Sequence, residues 1–118
     1  MIKGEKMLSY VKYYHEIEAE YREKLAEAKR KSDVREVFIN ILLKLFSKID
    51  SSIDQSYAEY IKFDGNLYTF ESPLKEKIEK LAEKSDLLAI IERIFETAKN
   101  RYLKLKNDDN TDYFNLKK

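Results

Sequence analysis

The segment at residues 34–49 constrains the fold most, because its apolar residues cover a wide part of a helical circumference. They recur at steps of three and four, which is the period of one face of an α-helix. A stripe this broad is typical of a helix enclosed by others, so we expect a central helix with Ser32 as its N-terminal cap. The stripe consists of Val34, Val37, Phe38, Ile41, Leu42, Leu45, Phe46 and Ile49.

Three further helices are predicted around this one. The first spans residues 5–30, where apolar residues recur at helical spacing and cations near the end suit the helix dipole. Ser72 and Pro73 are typical of a helix start, as a capping residue followed by proline at the first helical position. Ser85 and Asp86 begin the fourth helix with a similar capping signal. Two glycines and one proline among 118 residues leave room for few turns, which favours such long elements.

Between the second and third helices, the stretch YIKFDGNLYTF at residues 60–70 has the pattern of strand, turn and strand. Asp64 and Gly65 are a strong signal for the two central residues of a type I′ turn, where both require a positive φ. This turn pairs Phe63 with Asn66 and places most of the apolar residues on one face. A lone hairpin is marginal in water, so we expect this face to pack on the helices or on a partner.

Together these elements predict a mainly α fold, a small helical bundle of about four helices in two helix pairs, with a short β-hairpin inserted between helices 2 and 3. Residues 1–118 are expected to form a single helical domain. The predicted segments are a helix pair at 5–56, the hairpin at 59–70, a helix pair at 73–106 and a polar tail at 107–118. The sequence KSD before both Val34 and Leu87 aligns the two pairs, which indicates either a duplication or the shared period of two capped helices.

The residue types exclude several kinds of catalytic site. The chain has no cysteine, which excludes disulfides, thiolate nucleophiles, iron–sulfur clusters and cysteine-based zinc sites. Its single histidine, His15, has no hydroxyl nucleophile nearby except Ser9. Two glycines cannot build a phosphate-cradling loop, and no common catalytic string is present. We therefore expect a protein that is not an enzyme, with no catalytic residue, no metal and no small-molecule cofactor.

Charge and hydropathy limit the partners that this chain can have. The 23 basic and 22 acidic residues nearly cancel, so no global electrostatic attraction to nucleic acid is expected. No apolar run approaches the roughly 18 residues that span a bilayer, and the N-terminus lacks a signal-peptide pattern. We expect a cytoplasmic protein without membrane contact. Its abundant Lys and Glu are thermophile-like, although an AT-rich genome gives similar counts.

Two apolar surfaces are candidates for protein contact. The fourth helix carries a seam of alternating three- and four-residue steps, as in a coiled coil. The aromatic cluster around the hairpin is rich in residue types that anchor interfaces, and the same cluster can equally be core packing. The candidate contact residues are Tyr57, Tyr60, Phe63, Tyr68, Phe70, Leu88, Ile91, Phe95 and Tyr102.

The expected function is therefore that of a protein–protein interaction or assembly module, either a homo-oligomer or a small subunit of a larger complex. The alternative is a nucleic-acid-binding accessory protein that uses the basic end of the fourth helix. Cations there can contact phosphates, or can satisfy the helix dipole. A second basic run lies at residues 29–31, and its distance from the fourth helix is open. The candidate phosphate-binding residues are Lys99, Arg101, Lys104 and Lys106.

Overall fold

The computed structural model describes residues 8–105. Within that range it contains four α-helices, one 3-10 helix and a two-stranded antiparallel hairpin, which confirms the predicted fold class. The predicted tail at 107–118, the start of the first predicted helix at 5–7 and Lys106 lie outside the described residues. The elements are α1 (Val11–Glu27), α2 (Lys31–Ile49), the 3-10 helix (Gln55–Tyr60), β1 (Ile61–Phe63), β2 (Tyr68–Phe70), α3 (Leu74–Ala82) and α4 (Leu87–Lys104).

Helix α2 is the centre of the fold. It packs against α1, α4, the 3-10 helix and β1. This arrangement agrees with the broad apolar stripe, because a helix with neighbours on several sides needs apolar side chains over most of its circumference. Its buried residues are Val34, Phe38, Ile41, Leu42, Leu43, Leu45 and Phe46.

Polar contacts join α1 to the two helices beside it. Lys44 Nζ lies 2.5 Å from Glu20 Oε1, and a second ion pair links α1 to α2 one helical turn away, between Lys48 and Glu16. Such exposed pairs contribute little stability. The buried Tyr21 hydroxyl donates to the carbonyl of Ile94 in α4 at 2.5 Å. Burial raises the pKa of Tyr21, so this hydroxyl keeps its proton and remains a donor.

Residues 8–10, directly before α1, are bound to the loop between α3 and α4 and are not part of a longer first helix. The amide of Leu8 donates to Lys84 O at 2.8 Å, and the amide of Asp86 donates to Leu8 O at 3.1 Å. The Asp86 carboxylate accepts from the Tyr10 amide at 2.8 Å and from Ser9 Oγ at 2.7 Å. Asp86 therefore does not cap α4 with its side chain, because its oxygens bind the incoming N-terminal segment.

We expect Asp86→Ala to lower the free energy of unfolding by about 1–2 kcal/mol, since it removes two hydrogen bonds to a partly exposed carboxylate. Urea denaturation followed by circular dichroism measures the change. Glu83→Ala is the matched control on the same loop, because Glu83 is exposed, and it should change stability by less than about 0.5 kcal/mol. Equal effects of the two substitutions would show that the hydrogen bonds from Ser9 and Tyr10 to the Asp86 carboxylate do not contribute to stability.

Two predicted helix starts differ from the structure. Helix α2 begins at Lys31, one residue before the predicted cap at Ser32, because the Asp33 carboxylate reaches back to the amides of Lys29 and Arg30 at 3.1 Å each. Asp33 and Asp86, which occupy the same position in the two KSD segments, therefore have different partners. Duplication of one helix pair stays a prediction, and the shared helical period stays its alternative.

The start of α3 is also shifted from the predicted position. The helix begins at Leu74, one residue after the predicted first helical residue, Pro73. Ser72 Oγ does not cap a backbone amide as expected, since it donates to the carboxylate of Glu76 at 2.6 Å. The hydroxyl and the acid thus bind each other across the first turn of the helix.

The hairpin has the predicted apolar face but a different register. Phe63 pairs with Tyr68 and not with Asn66, so the predicted pairing is wrong. Asp64 Oδ1 accepts from the amides of Asn66 and Leu67 at 2.9 Å each, which moves the turn one residue onward. Gly65 has a φ of +93°, whereas Asn66 does not have a positive φ, so the turn is not type I′. The partner of each residue shifts by two positions, and a shift of two preserves the face. The first two residues predicted for the hairpin, at 59–60, belong to the 3-10 helix.

Candidate protein-binding groove

The aromatic face of the hairpin closes the core of the described fold. Phe63 is only 5% exposed, and its ring centroid lies 4.7 Å from that of Phe38 and 5.9 Å from that of Phe95. The Tyr68 ring is tilted against that of Phe95, with 4.8 Å between the ring centroids, and the Tyr68 hydroxyl donates to Glu92 Oε2 at 2.5 Å. Burial and this bond both raise the pKa of Tyr68. Of the two alternatives that the sequence leaves open for this cluster, the structure shows packing.

Three of the nine candidate contact residues are consequently unavailable to a partner. Phe63, Ile91 and Phe95 are buried, so the apolar seam of α4 is filled from within the chain. Leu88 is 56% exposed and is the one residue of the set classed as exposed. The remaining members are half-buried and pack against the core: Tyr57, Tyr60, Tyr68, Phe70 and Tyr102. The seam and the hairpin therefore do not form a continuous apolar surface.

The basic residues of α4 divide into structural and exposed groups. Arg101 Nη2 donates to the carbonyls of Ala26 and Ala28, at 3.2 and 2.6 Å, and so binds the end of α1. Lys99 is half-buried with its Nζ 5.9 Å from the Phe95 ring centroid, and Lys104 is exposed. The fourth candidate, Lys106, lies outside the described residues.

A concave surface lies elsewhere, across the outer side of α2. We call it the acidic groove; its volume is about 660 Å³ and it is bounded by α1, α2 and the start of the 3-10 helix. Its floor is formed by Tyr21, Ala28, Val37, Ile41 and Leu43. Its charged rim consists of Glu20, Lys24, Glu27, Asp33, Glu36, Lys44 and Asp54. Five carboxylates thus face two ammonium groups around an apolar floor.

Three of the five rim carboxylates have partners within the fold. Glu20 pairs with Lys44, and Asp33 accepts from two backbone amides. Asp54 accepts from the amide and hydroxyl of Ser56 at 3.0 and 2.6 Å, which caps the 3-10 helix. These bonds hold the pKa of each of the three below its usual range, so all three are ionised near neutral pH.

The two remaining rim carboxylates, Glu27 and Glu36, are the ones open to a ligand. Both side chains are exposed, and neither makes a hydrogen bond or an ion pair with any residue from 8 to 105. They are separated by the half-buried Asp33 and by the beginning of α2. A cation bound at this rim can therefore interact with Glu27 or Glu36 without displacing an existing partner.

No protein-family model matches the chain, and neither a curated protein nor a solved structure does. In the part of the chain that the structure describes, no three His, Asp or Glu side chains are arranged to hold a metal ion. His15 is exposed, with Nδ1 3.4 Å from Glu18 Oε1. None of the helices in that part has the length and apolar character to cross a membrane.

Sequence reasoning missed the acidic groove because three separate segments form it. Its rim acids are isolated in the chain and resemble ordinary solvated helix residues. One signal was present: Val37 and Ile41 extend the apolar stripe of α2 toward its outer side, which is wider than contact with α1 and α4 requires. Periodicity shows that such a side exists, but does not show that it stays partly uncovered.

Proposed function

We propose that this chain is a non-enzymatic protein-binding module whose acidic groove takes a cationic amphipathic helix of a partner. The observation that carries the proposal is an apolar floor enclosed by a rim with five carboxylates and two lysines. Helix-in-groove recognition needs these two components, an apolar floor for the anchor residues and a flank for the charged residues. We keep the assembly role expected from the sequence, but we place the binding surface at the acidic groove and not at the hairpin or on α4.

The dimensions of the groove support this occupant. Its volume of about 660 Å³ falls in the range of about 300–1,000 Å³ that is typical of small-molecule pockets, which leaves room for anchor side chains from one face of a helix. Of the five floor residues only Val37 is half-buried, while the other four are at most 4% exposed. Val37 is therefore the floor residue that is accessible to the anchor side chains, which an amphipathic helix presents at steps of three and four along one face. Exposed ion pairs at the rim contribute little affinity of their own. The rim charges instead favour a cationic partner and increase its association rate.

A partner of different sequence fits the structure better than a homo-oligomer. The homo-oligomer expectation depended on the α4 seam and on the hairpin face, and most residues of both are buried in the core or pack against it. The outer edge of β1 is also partly occupied, since Arg35 Nε donates to the carbonyl of Phe63 at 3.3 Å. A partner can reach the acidic groove without displacing residues that pack in the core or bind the edge of β1. A small subunit that binds a helix of a larger complex is therefore our proposal.

The proposal is tested with a synthetic helix that has leucines on one face and lysines on the other, titrated against the full chain by fluorescence anisotropy. We expect the double substitution Glu27→Lys and Glu36→Lys to weaken binding about tenfold, equivalent to about 1.4 kcal/mol. Both residues are exposed and have no partner among residues 8–105, so the fold should be unchanged.

Two controls separate groove docking from general charge attraction. Glu79→Lys with Glu96→Lys makes the same change in net charge on α3 and α4, and should alter affinity by less than about twofold. A peptide of the same composition in scrambled order has no apolar face and should bind at least about tenfold more weakly. Equal loss with both pairs of substitutions, or equal binding of both peptides, would contradict the proposal.

A further inference from the structure

The fold brings together two basic segments that are about 70 residues apart in the chain. Arg101 Nη2 lies 2.6 Å from the carbonyl of Ala28, which places the last turns of α4 against the loop between α1 and α2. Lys31 Nζ lies 4.2 Å from the centroid of the Tyr102 ring and makes a second contact between the two segments. Residues 28–31 and 101–104 contain five cations and no carboxylate. We call these cations the basic end: Lys29, Arg30, Lys31, Arg101 and Lys104.

Three members of the basic end are available to a ligand. Lys29, Arg30 and Lys104 are exposed, and none of them takes part in an ion pair with another described residue. Arg101 is committed to the carbonyls of α1. The structural contacts thus hold the two segments in place while three cations project from them.

The neighbouring carboxylates only partly offset this charge. Glu27 and Asp33 flank the loop in sequence, and both belong to the rim of the acidic groove. Asp33 accepts hydrogen bonds from the amides of Lys29 and Arg30, and its carboxylate also interacts electrostatically with the Arg30 side chain. Asp64 in the hairpin turn accepts from two backbone amides in the same manner. None of the three exposed cations forms an ion pair with a carboxylate of residues 8–105.

We propose that the basic end is a second binding site, which takes the phosphate backbone of duplex nucleic acid without reading its sequence. Exposed cations suit phosphate contacts, which position a protein but carry no sequence information. The aromatic residue at this end, Tyr102, already packs against Lys31 and Phe63. It is not free to stack on an unpaired base, and stacking is what single-strand binding requires.

The test is binding of the full chain to a labelled DNA duplex, measured by fluorescence anisotropy between 50 and 200 mM salt at roughly neutral pH. Three phosphate contacts predict a slope of about −2.7 in log affinity against log salt, so affinity should fall about 40-fold across that range. Substitution of Lys29, Arg30 and Lys104 by Gln should lower affinity at least about tenfold at low salt and flatten the slope.

A matched variant carries the same loss of charge elsewhere. Lys12, Lys75 and Lys80 are exposed and outside the basic end, and their substitution by Gln should change affinity by less than about twofold. The site is overturned if the duplex does not bind, if both triple variants lose affinity equally, or if single-stranded RNA binds more tightly. Equal binding to vesicles that contain phosphatidylserine, with the same dependence on the variants, would also overturn it, by assigning the basic end to anionic surfaces in general.

Discussion

Phe63→Ala is expected to lower the free energy of unfolding by about 3–5 kcal/mol, the usual cost of removing a buried aromatic ring. Phe63 is 5% exposed and its ring lies 4.7 Å from that of Phe38 and 5.4 Å from that of Tyr102. The substitution leaves a cavity between the hairpin, α2 and α4, so the hairpin loses its main anchor. Chemical denaturation monitored by circular dichroism gives the change in stability.

Leu67→Ala provides the control for this substitution within the same hairpin. Leu67 is 66% exposed, so its truncation should change stability by less than about 0.5 kcal/mol. If Phe63→Ala is as mild as Leu67→Ala, then Phe63 is not a core residue and the aromatic face is a contact surface for a partner. A large difference between the two supports the packing described above.

Gly65→Ala should destabilise the chain by about 2–4 kcal/mol, through two separate effects. A methyl group at Gly65 would lie within van der Waals overlap of the Tyr102 ring, at 2.2 Å from Cε1. The φ of +93° at this residue is also unfavourable for any residue with a β-carbon. Either the turn or the end of α4 must move to accommodate the methyl group, and thermal or chemical denaturation measures the cost.

The two effects are separable by a second variant. In a Tyr102→Leu background the overlap is relieved, and Gly65→Ala should then cost only about 1–2 kcal/mol from the backbone conformation. Asn66→Ala is the control, because the turn uses the Asn66 amide and not its side chain. An effect of Gly65→Ala no larger than that of Asn66→Ala would mean that neither the contact nor the positive φ exists in solution.

The fold was predictable because the strongest signals in this sequence are periodic. The stripe of α2 identified a central helix, since a helix with neighbours on several sides needs apolar residues over most of its circumference. The predicted register of the hairpin was wrong and its predicted apolar face was right, and both outcomes have the same cause. A turn moved by one residue changes the partner of Phe63 from Asn66 to Tyr68, but leaves the alternation of side chains unchanged.

The structural details that were predicted wrongly, or left open, depend on partners from distant parts of the chain. Asp86 had a plausible capping position, yet its carboxylate binds Ser9 and Tyr10 from a distant part of the chain. The sequence likewise did not predict what packs on the apolar face of the hairpin, because periodicity defines such a face and not the element that covers it. The nearness of the basic run at 29–31 to Arg101 required the tertiary fold. These outcomes depend on contacts far apart in sequence, which a pattern within one segment does not contain.

The most direct test of the central claim is to map the bound cationic amphipathic helix on the amide NMR spectrum of the full chain. We predict chemical-shift changes along the acidic groove, at Val37 and at neighbouring residues of α1 and α2, with little change at Tyr68 or Leu88. Glu27→Lys with Glu36→Lys should reduce these changes at equal peptide concentration. Shifts centred on the hairpin and on α4, or the absence of saturable shifts, would contradict the assignment of the groove as the protein-binding site.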